Sequence, residues 1–228
     1  MRTKYFNINY LPEVKIPSET IDGKRYYVTP TGNKYPSVTT ILSSMSEVGI
    51  AQWRARVGEE EANRVSTQAS GRGTRVHTIA EHYLRNEEDY AKDAMPANLE
   101  TFNQIKEFLD SHCDEVYGNE IALYSDTLKT AGRCDLVGRI HGIRTVGDFK
   151  TSKKAKKEAW IKNYFFQCTT YALMLYEMYG VWCPQICIMI ATDEDGLQPI
   201  VKQTKQYVEE VRDFFENWHS KNSQLTRA

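Results

Sequence analysis

Between Thr130 and Ser152 the chain reads TAGRCDLVGRIHGIRTVGDFKTS, and no other stretch restricts the fold as strongly. Thr130 to Ile140 alternates, with Gly132, Cys134, Leu136 and Ile140 on one parity and Arg133, Asp135, Val137 and Arg139 on the other. That is the period of a strand. Ile143 to Lys150 alternates again, with Arg144, Val146, Asp148 and Lys150 on one side. Only His141 and Gly142 separate the two runs, which predicts a two-residue hairpin, although Asn, Asp or Gly is the commoner first turn residue.

Such a turn fixes the register. With Ile140 opposite Ile143, counting back along both runs places Asp135 directly opposite Asp148. Side chains in that relation have Cβ atoms roughly 4.5–5.5 Å apart, and like charges so placed destabilise a sheet. Two such carboxylates need a cation between them, a shared proton, or open water. Lys150 follows on the same face. A solvated hairpin face, with the acids paired to Arg133, Arg144 and Lys150, stays open on this stretch alone.

At 228 residues the chain suits one domain, 1–228, with enough length for a core without staples. A content of 41% hydrophobic and 26% charged residues argues against disorder and against a membrane protein. The opening MRTKYFNINYLPEVK resembles neither a secretory signal nor a transit peptide, and the expected location is the cytoplasm. Cys113, Cys134, Cys168, Cys183 and Cys187 are scattered and odd in number, which argues against a disulfide framework. The Cys183–Cys187 spacing does not suit a zinc knuckle and reads as buried packing. A net charge of −1 excludes a uniformly basic nucleic-acid binder but not a local basic patch. Lys150, Lys153, Lys154, Lys156 and Lys157 form one such cluster.

Arg25 to Tyr35 reads as a hairpin about Pro30-Thr31-Gly32-Asn33, and Ser37 or Thr39 as the cap of a helix beginning near Val38. Trp53 to Thr67 reads as helix. Ser70-Gly71-Arg72-Gly73 is expected to break it, with a second helix opening at Thr74. There Val76, Ile79, Ala80 and Tyr83 form an apolar stripe, with His77 and Glu81 one turn apart beside it. Asn98 to Val116 is a further helix, Asn119 to Tyr124 a strand carrying Glu120, and Trp160 to Tyr179 a long aromatic helix with Gln167 and Tyr171 on one face. Gln185 to Thr192 and Leu197 to Lys202 are two more strands, and Tyr207 to His219 a closing helix. Residues 1–70 are expected to hold the N-terminal hairpin and helices, 71–203 the core, and 204–228 the last helix. The order predicts an α/β domain on a mixed sheet with helices against its faces.

Gly132-Arg133-Cys134-Asp135 followed by Asp148-Phe149-Lys150 resembles the signature of the PD-(D/E)XK nucleases, with a restriction-endonuclease-like core. Gly73-Thr74-Arg75-Val76-His77 upstream and Gln167-Cys168-Thr169-Thr170-Tyr171 downstream are similar to the elements added by its RecB-type exonuclease branch. Pro36-Ser37-Val38-Thr39 resembles a stretch near the start of small single-domain phage and mitochondrial genome maintenance exonucleases. The four-cysteine pattern of iron–sulfur relatives is missing, as are helicase motifs.

The resemblance implies a Mg²⁺- or Mn²⁺-dependent DNA exonuclease, on one or two ions, acting on single-stranded DNA with a free end. Asp135, Asp148, His77 and the Phe149 backbone carbonyl would be ligands, and oxygen-rich sets suit such hard cations. Lys150 would hold or deprotonate the attacking water, acidified by the metal. Gln167 and Tyr171 would orient the strand, with Arg72, Arg75, Lys153 and Lys154 on its phosphates. Glu81 would stand behind the ligands, and Glu120 either there or as an ordinary surface acid. Tyr26, Tyr27, Trp53 and Tyr164 are candidates for stacking bases. A helicase, a single-strand-binding protein or a recombination protein would be the partner, in a bacterial cell or a phage-infected host. A non-catalytic DNA-binding module and an endonuclease of the same fold are the competing readings.

Overall fold

The turn at His141-Gly142 has φ of 53° and 76°, so both residues are left-handed, as a type I′ hairpin turn requires. It joins strands β6, Thr130–Ile140, and β7, Ile143–Ser152. In the computed structural model, which describes residues 4–225, this hairpin is the middle of a six-stranded sheet. Its neighbours are β1, Asn7–Ile8; β5, Cys113–Ser125; β8, Gln185–Thr192; and β9, Gly196–Gln203. The strand order is β1-β5-β6-β7-β8-β9, with β1–β5 and β7–β8 parallel and the other pairs antiparallel. The mixed sheet is as expected, except that the short β1 carries no readable pattern.

Helices cover both faces. On one, α1, Val38–Ser43, α5, Lys162–Tyr179, and α6, Val208–Leu225, pack on Val137, Val146, Ile186 and Ile188. On the other, α3, Glu59–Leu84, and α4, Pro96–His112, pack on Leu136, Ile140, Phe149 and Met189. β8 is buried along its whole length, which is why QICIMIAT is apolar on both parities. A separate three-stranded sheet, β2, Ser18–Ile21, β3, Lys24–Val28, and β4, Lys34–Pro36, contains the expected hairpin plus one strand the pattern did not show. Ser37 caps α1, its hydroxyl accepting from the Thr40 N–H at 2.9 Å.

The helices before His77 depart from expectation. The break falls at Gly58, with φ of 87°, between α2, Glu47–Val57, and α3. Helix α3 then runs unbroken through Ser70-Gly71-Arg72-Gly73, so no second helix opens at Thr74, and the expected boundary at residue 70 lies inside α3. Two interior glycines cost about 1 kcal/mol each. Burying Val76 and Ile79 stabilises by about 1.5–3 kcal/mol apiece, enough to hold the helix through them. Helix α4 ends at His112, four residues before the expected Val116, because β5 already begins at Cys113.

All five cysteines are free and buried, as expected of packing residues. Among the described residues no helix is long and apolar enough to cross a membrane.

Candidate metal centre

The β6–β7 ladder follows the expected register from Ile140↔Ile143 to Leu136↔Gly147 and goes no further. In an antiparallel pair every second residue turns both its N–H and its C=O toward the partner strand, and Phe149 is the next in that series. Neither group finds β6 backbone. The Phe149 N–H donates to Asp135 Oδ2 at 2.8 Å, and its C=O lies 2.8 Å from His77 Nε2. The hairpin opens where its two acids sit, and side chains replace the missing rung.

A third acid enters from β5. The pairs Asn119↔Leu136 and Ile121↔Cys134 flank Glu120 and bring it level with Asp135. Glu120 has φ of 52°, left-handed for a residue with a Cβ, a conformation that costs about 1–3 kcal/mol and gathers at functional sites. Asn119 next to it donates to the Glu81 carbonyl at 2.8 Å, tying β5 to α3 one turn beyond His77. His77 Nδ1 lies 3.5 Å from Asp135 Oδ2 and 3.9 Å from Glu120 Oε1. Ligand atoms of His77, Glu120 and Asp135 all fall within 4.8 Å of one another.

From the opposite face α5 contributes Gln167, whose amide donates to Asp148 Oδ1 at 2.8 Å. Lys150 Nζ stands 2.5 Å from Asp148 Oδ2 as an ion pair and donates to Gln167 Oε1 at 3.4 Å. The Tyr164 ring lies 5.1 Å beneath that ammonium. Asp148 thus belongs to a Lys150–Gln167 group beside the His77–Glu120–Asp135 group, not within it. The ladder stops one pair short of the expected Asp135–Asp148 pairing, and the Lys150 partner is one of the alternatives that the hairpin face leaves open.

Charges in the two groups act on each other. Burial alone would lower the His77 pKa, but the Asp135 carboxylate and a contact to Glu120 outweigh it and push it up to about 10. Burial would raise Asp135, yet the His77 and Lys150 charges and the Phe149 N–H hold it below its ordinary value. For Asp148 burial wins: assisted by the Asp135 charge, it overrides Lys150 and sets the pKa at about 6. Lys150 is buried too, which would lower its pKa, but Asp148 and Asp135 hold it above the usual lysine range. The acidified lysine expected from the sequence is therefore not a property of these side chains alone; they keep it an ammonium.

An imidazole, two carboxylates and a backbone carbonyl are a donor set that suits a hard divalent cation. Asp148 Oδ2, buried beside this set, has the Lys150 ammonium as its charge partner. The residues fit such an ion.

The remaining candidates fall into place around this pair of groups. Glu81 pairs with Arg85 at 2.6 Å and so does not back the ligands; Glu120, expected behind them or at the surface, stands among them. Arg72 is bound by both oxygens of Asp193 at 2.6 and 2.7 Å, whereas Arg75 is exposed. Lys153 and Lys154 share Glu194 at 3.7 and 3.0 Å. Gln167 and Tyr171 are buried, so neither presents a surface to a strand: Gln167 holds Asp148 and Lys150, and Tyr171 fills the space beside Gly132. Tyr27 is buried, Tyr164 lies under Lys150, and Tyr26 and Trp53 are half-buried, so none is the open stacking face expected. Among the described tryptophans Trp160 is the exposed one, and it lies in a 3-10 turn before α5, not at the start of the long aromatic helix as expected.

Fold and site together define an α/β protein with a mixed six-stranded sheet and a histidine–carboxylate group able to hold a cation. The structure is similar to a crystal structure from Eubacterium rectale described as a "putative exonuclease", with a TM-score of 0.42 and 15% sequence identity. The match covers 64% of each chain, less than two thirds of that protein's length. No family model and no curated protein matches the sequence.

Proposed function

We propose that this chain is a Mg²⁺- or Mn²⁺-dependent deoxyribonuclease that hydrolyses phosphodiester bonds in single-stranded DNA from a free end. The observation that carries the reading is the open rung of the central hairpin. There His77, Glu120, Asp135 and the Phe149 carbonyl converge, with Asp148 and Lys150 alongside. The order Gly-x-x-x-His, Gly-x-x-Asp, Asp-x-Lys and Gln-x-x-x-Tyr along the chain supports it, as does the buried Gln167 that braces Asp148 and Lys150.

In this reading His77, Glu120, Asp135 and the Phe149 carbonyl would hold the ion, with Asp148 beside them fixed by Lys150 and Gln167. A bound divalent cation supplies charge neutralisation on the scissile phosphate and a water of lowered pKa. Lys150, an ammonium fixed by Asp148 and Gln167, holds the attacking water and offsets the negative charge that builds on the phosphate. Gln167 orients Asp148 and Lys150 together, so that neither must reorganise as the bond breaks. Arg75 and the lysines after β7 take the phosphates farther along the strand, which fits a chain whose net charge leaves only a local basic patch.

Oligonucleotides labelled at the 5′ or the 3′ end, single- and double-stranded, together with covalently closed circles, test the proposal in Mg²⁺, Mn²⁺ and EDTA. Stepwise loss of linear single strands, abolished by EDTA, is expected. Circles cut as fast as linear strands, or undiminished cleavage in EDTA, would refute it.

A further inference from the structure

Downstream of Lys150 the chain leaves β7 and crosses the rim of the sheet before entering α5. This crossing is tightly held. The Ala155 N–H donates to Asp195 Oδ2 and the Lys156 N–H to Gln198 Oε1, both at 2.8 Å, and the Gln198 amide returns a bond to the Lys156 carbonyl at 2.8 Å. Glu158 meets Lys202 at 2.7 Å, and Ile161 is buried in the core. A 3-10 turn, Glu158–Trp160, closes the crossing, with the Trp160 N–H on the Lys157 carbonyl at 2.9 Å.

On this fixed base Trp160 is 68% exposed, more than any other described tryptophan. An indole so exposed contributes little to the core, whereas a pinned backbone removes the entropy that a ligand would otherwise have to overcome. The Lys157 ammonium lies 5.2 Å from the ring centroid, a cation–π contact that leaves the other face for a second flat group. Lys156 is exposed and has no ion pair among the described residues, unlike Lys153 and Lys154. Four residues on, Tyr164 stands under Lys150, so the indole is anchored within about 14 Å of chain from that residue. A flat apolar face beside free ammonium groups is the pairing that single-stranded nucleic acid recognises, base on ring and phosphate on cation.

We propose that Trp160, with Lys156 and Lys157, forms a subsite that stacks one nucleobase of a single strand and holds its phosphates at the rim of the metal centre. This rests on the nuclease reading above and adds to it the place where the strand is gripped. Trp160 is a binding residue, not a catalytic one.

The test uses the full chain in Ca²⁺, with a fluorescein-labelled oligo(dT) followed by anisotropy. Trp160→Ala should weaken binding about 5- to 150-fold, the factor that one base–aromatic stack carries, while Trp160→Phe retains most of it. Oligonucleotides with a single abasic nucleotide stepped along the strand should show one costly position with the native chain and none with Trp160→Ala, a signature that a merely structural role would not produce. Lys156→Ala should lower the salt slope by about 0.7. Circular dichroism of Trp160→Ala should report an intact fold. Native-like oligo(dT) affinity in Trp160→Ala, or an abasic penalty identical in both chains, overturns the subsite. If the native chain cuts DNA while this happens, the subsite alone falls; if the native chain neither binds nor cuts DNA, the nuclease reading falls with it.

Discussion

The backbone N–H of Phe149 ends on the carboxylate of Asp135, 2.8 Å away, where a continued ladder would have sent it to the carbonyl of Cys134. An acid has taken over a rung of the sheet. One side chain therefore performs two tasks, closing the hydrogen-bond account of β7 and presenting a charge to His77.

The two tasks separate by substitution. Asp135→Asn can still accept from Phe149 but has lost its charge, so Mn²⁺ affinity by calorimetry should fall at least about 10- to 100-fold, and the stability that the carboxylate lends to the His77 cation goes with it. Asp135→Ala also leaves a buried N–H bare, and urea melts should show a further loss of about 1–3 kcal/mol. Equal stability of the two variants would show that the rung carries no weight.

His77 should give the protein in EDTA an alkaline weakness. Its folded pKa, about 10, lies above the ordinary 6.5, so its contribution to stability is complete below 6.5 and is lost as pH rises through 10. Urea melts from pH 6 to 10 should show a decline on the order of a few kcal/mol in the native chain. In His77→Gln the curve should flatten over that window. A variant that declines as steeply as the native protein would place the effect elsewhere.

Lys150→Met should keep Mn²⁺ and oligonucleotide binding and lose turnover by about 10²–10⁴, the range for a positioned proton-handling group. Gln167→Ala should fall between, since Asp148 and Lys150 keep each other but lose their common brace. Turnover in Lys150→Met within a few-fold of native would exclude that lysine from the reaction.

Gly132 lies where a Cβ would come 2.8 Å from the Tyr171 hydroxyl and 3.0 Å from its ring, both deep in the core. Gly132→Ala should therefore destabilise by about 1–3 kcal/mol in thermal or urea melts. Adding Tyr171→Phe should recover part of that, because the closest atom is the one removed. No recovery in the double variant would mean that the clash is relieved by moving β6, not α5.

Local physics made the central hairpin legible. Two runs of period 2 around His141-Gly142 admit one register, which the ladder keeps from Ile140↔Ile143 to Leu136↔Gly147, one pair short of Asp135 and Asp148. The apolar stripe of α3, the doubly apolar β8 and the Ser37 cap were readable for the same reason, since each depends on residues near one another in the chain. Glycine punctuation misled. Gly71 and Gly73 look like a break, but the burial of Val76 and Ile79 outweighs their cost, and the chain bends at Gly58 instead.

The sequence by itself determined on which faces of their strands and helix Asp135, Asp148, Lys150 and His77 stand, because strand parity and helix spacing fix that locally. Only the tertiary structure decided how they are partnered. Glu120 became a member of the donor group through a pairing across a four-residue loop and a left-handed backbone, neither of which a parity count can supply. Asp148 went to Lys150 and Gln167 because α5 folds onto β7, and Trp160 became an open face because its turn is pinned from β9. Contacts between segments far apart in sequence depend on packing of the whole chain, and a one-dimensional period holds no record of it.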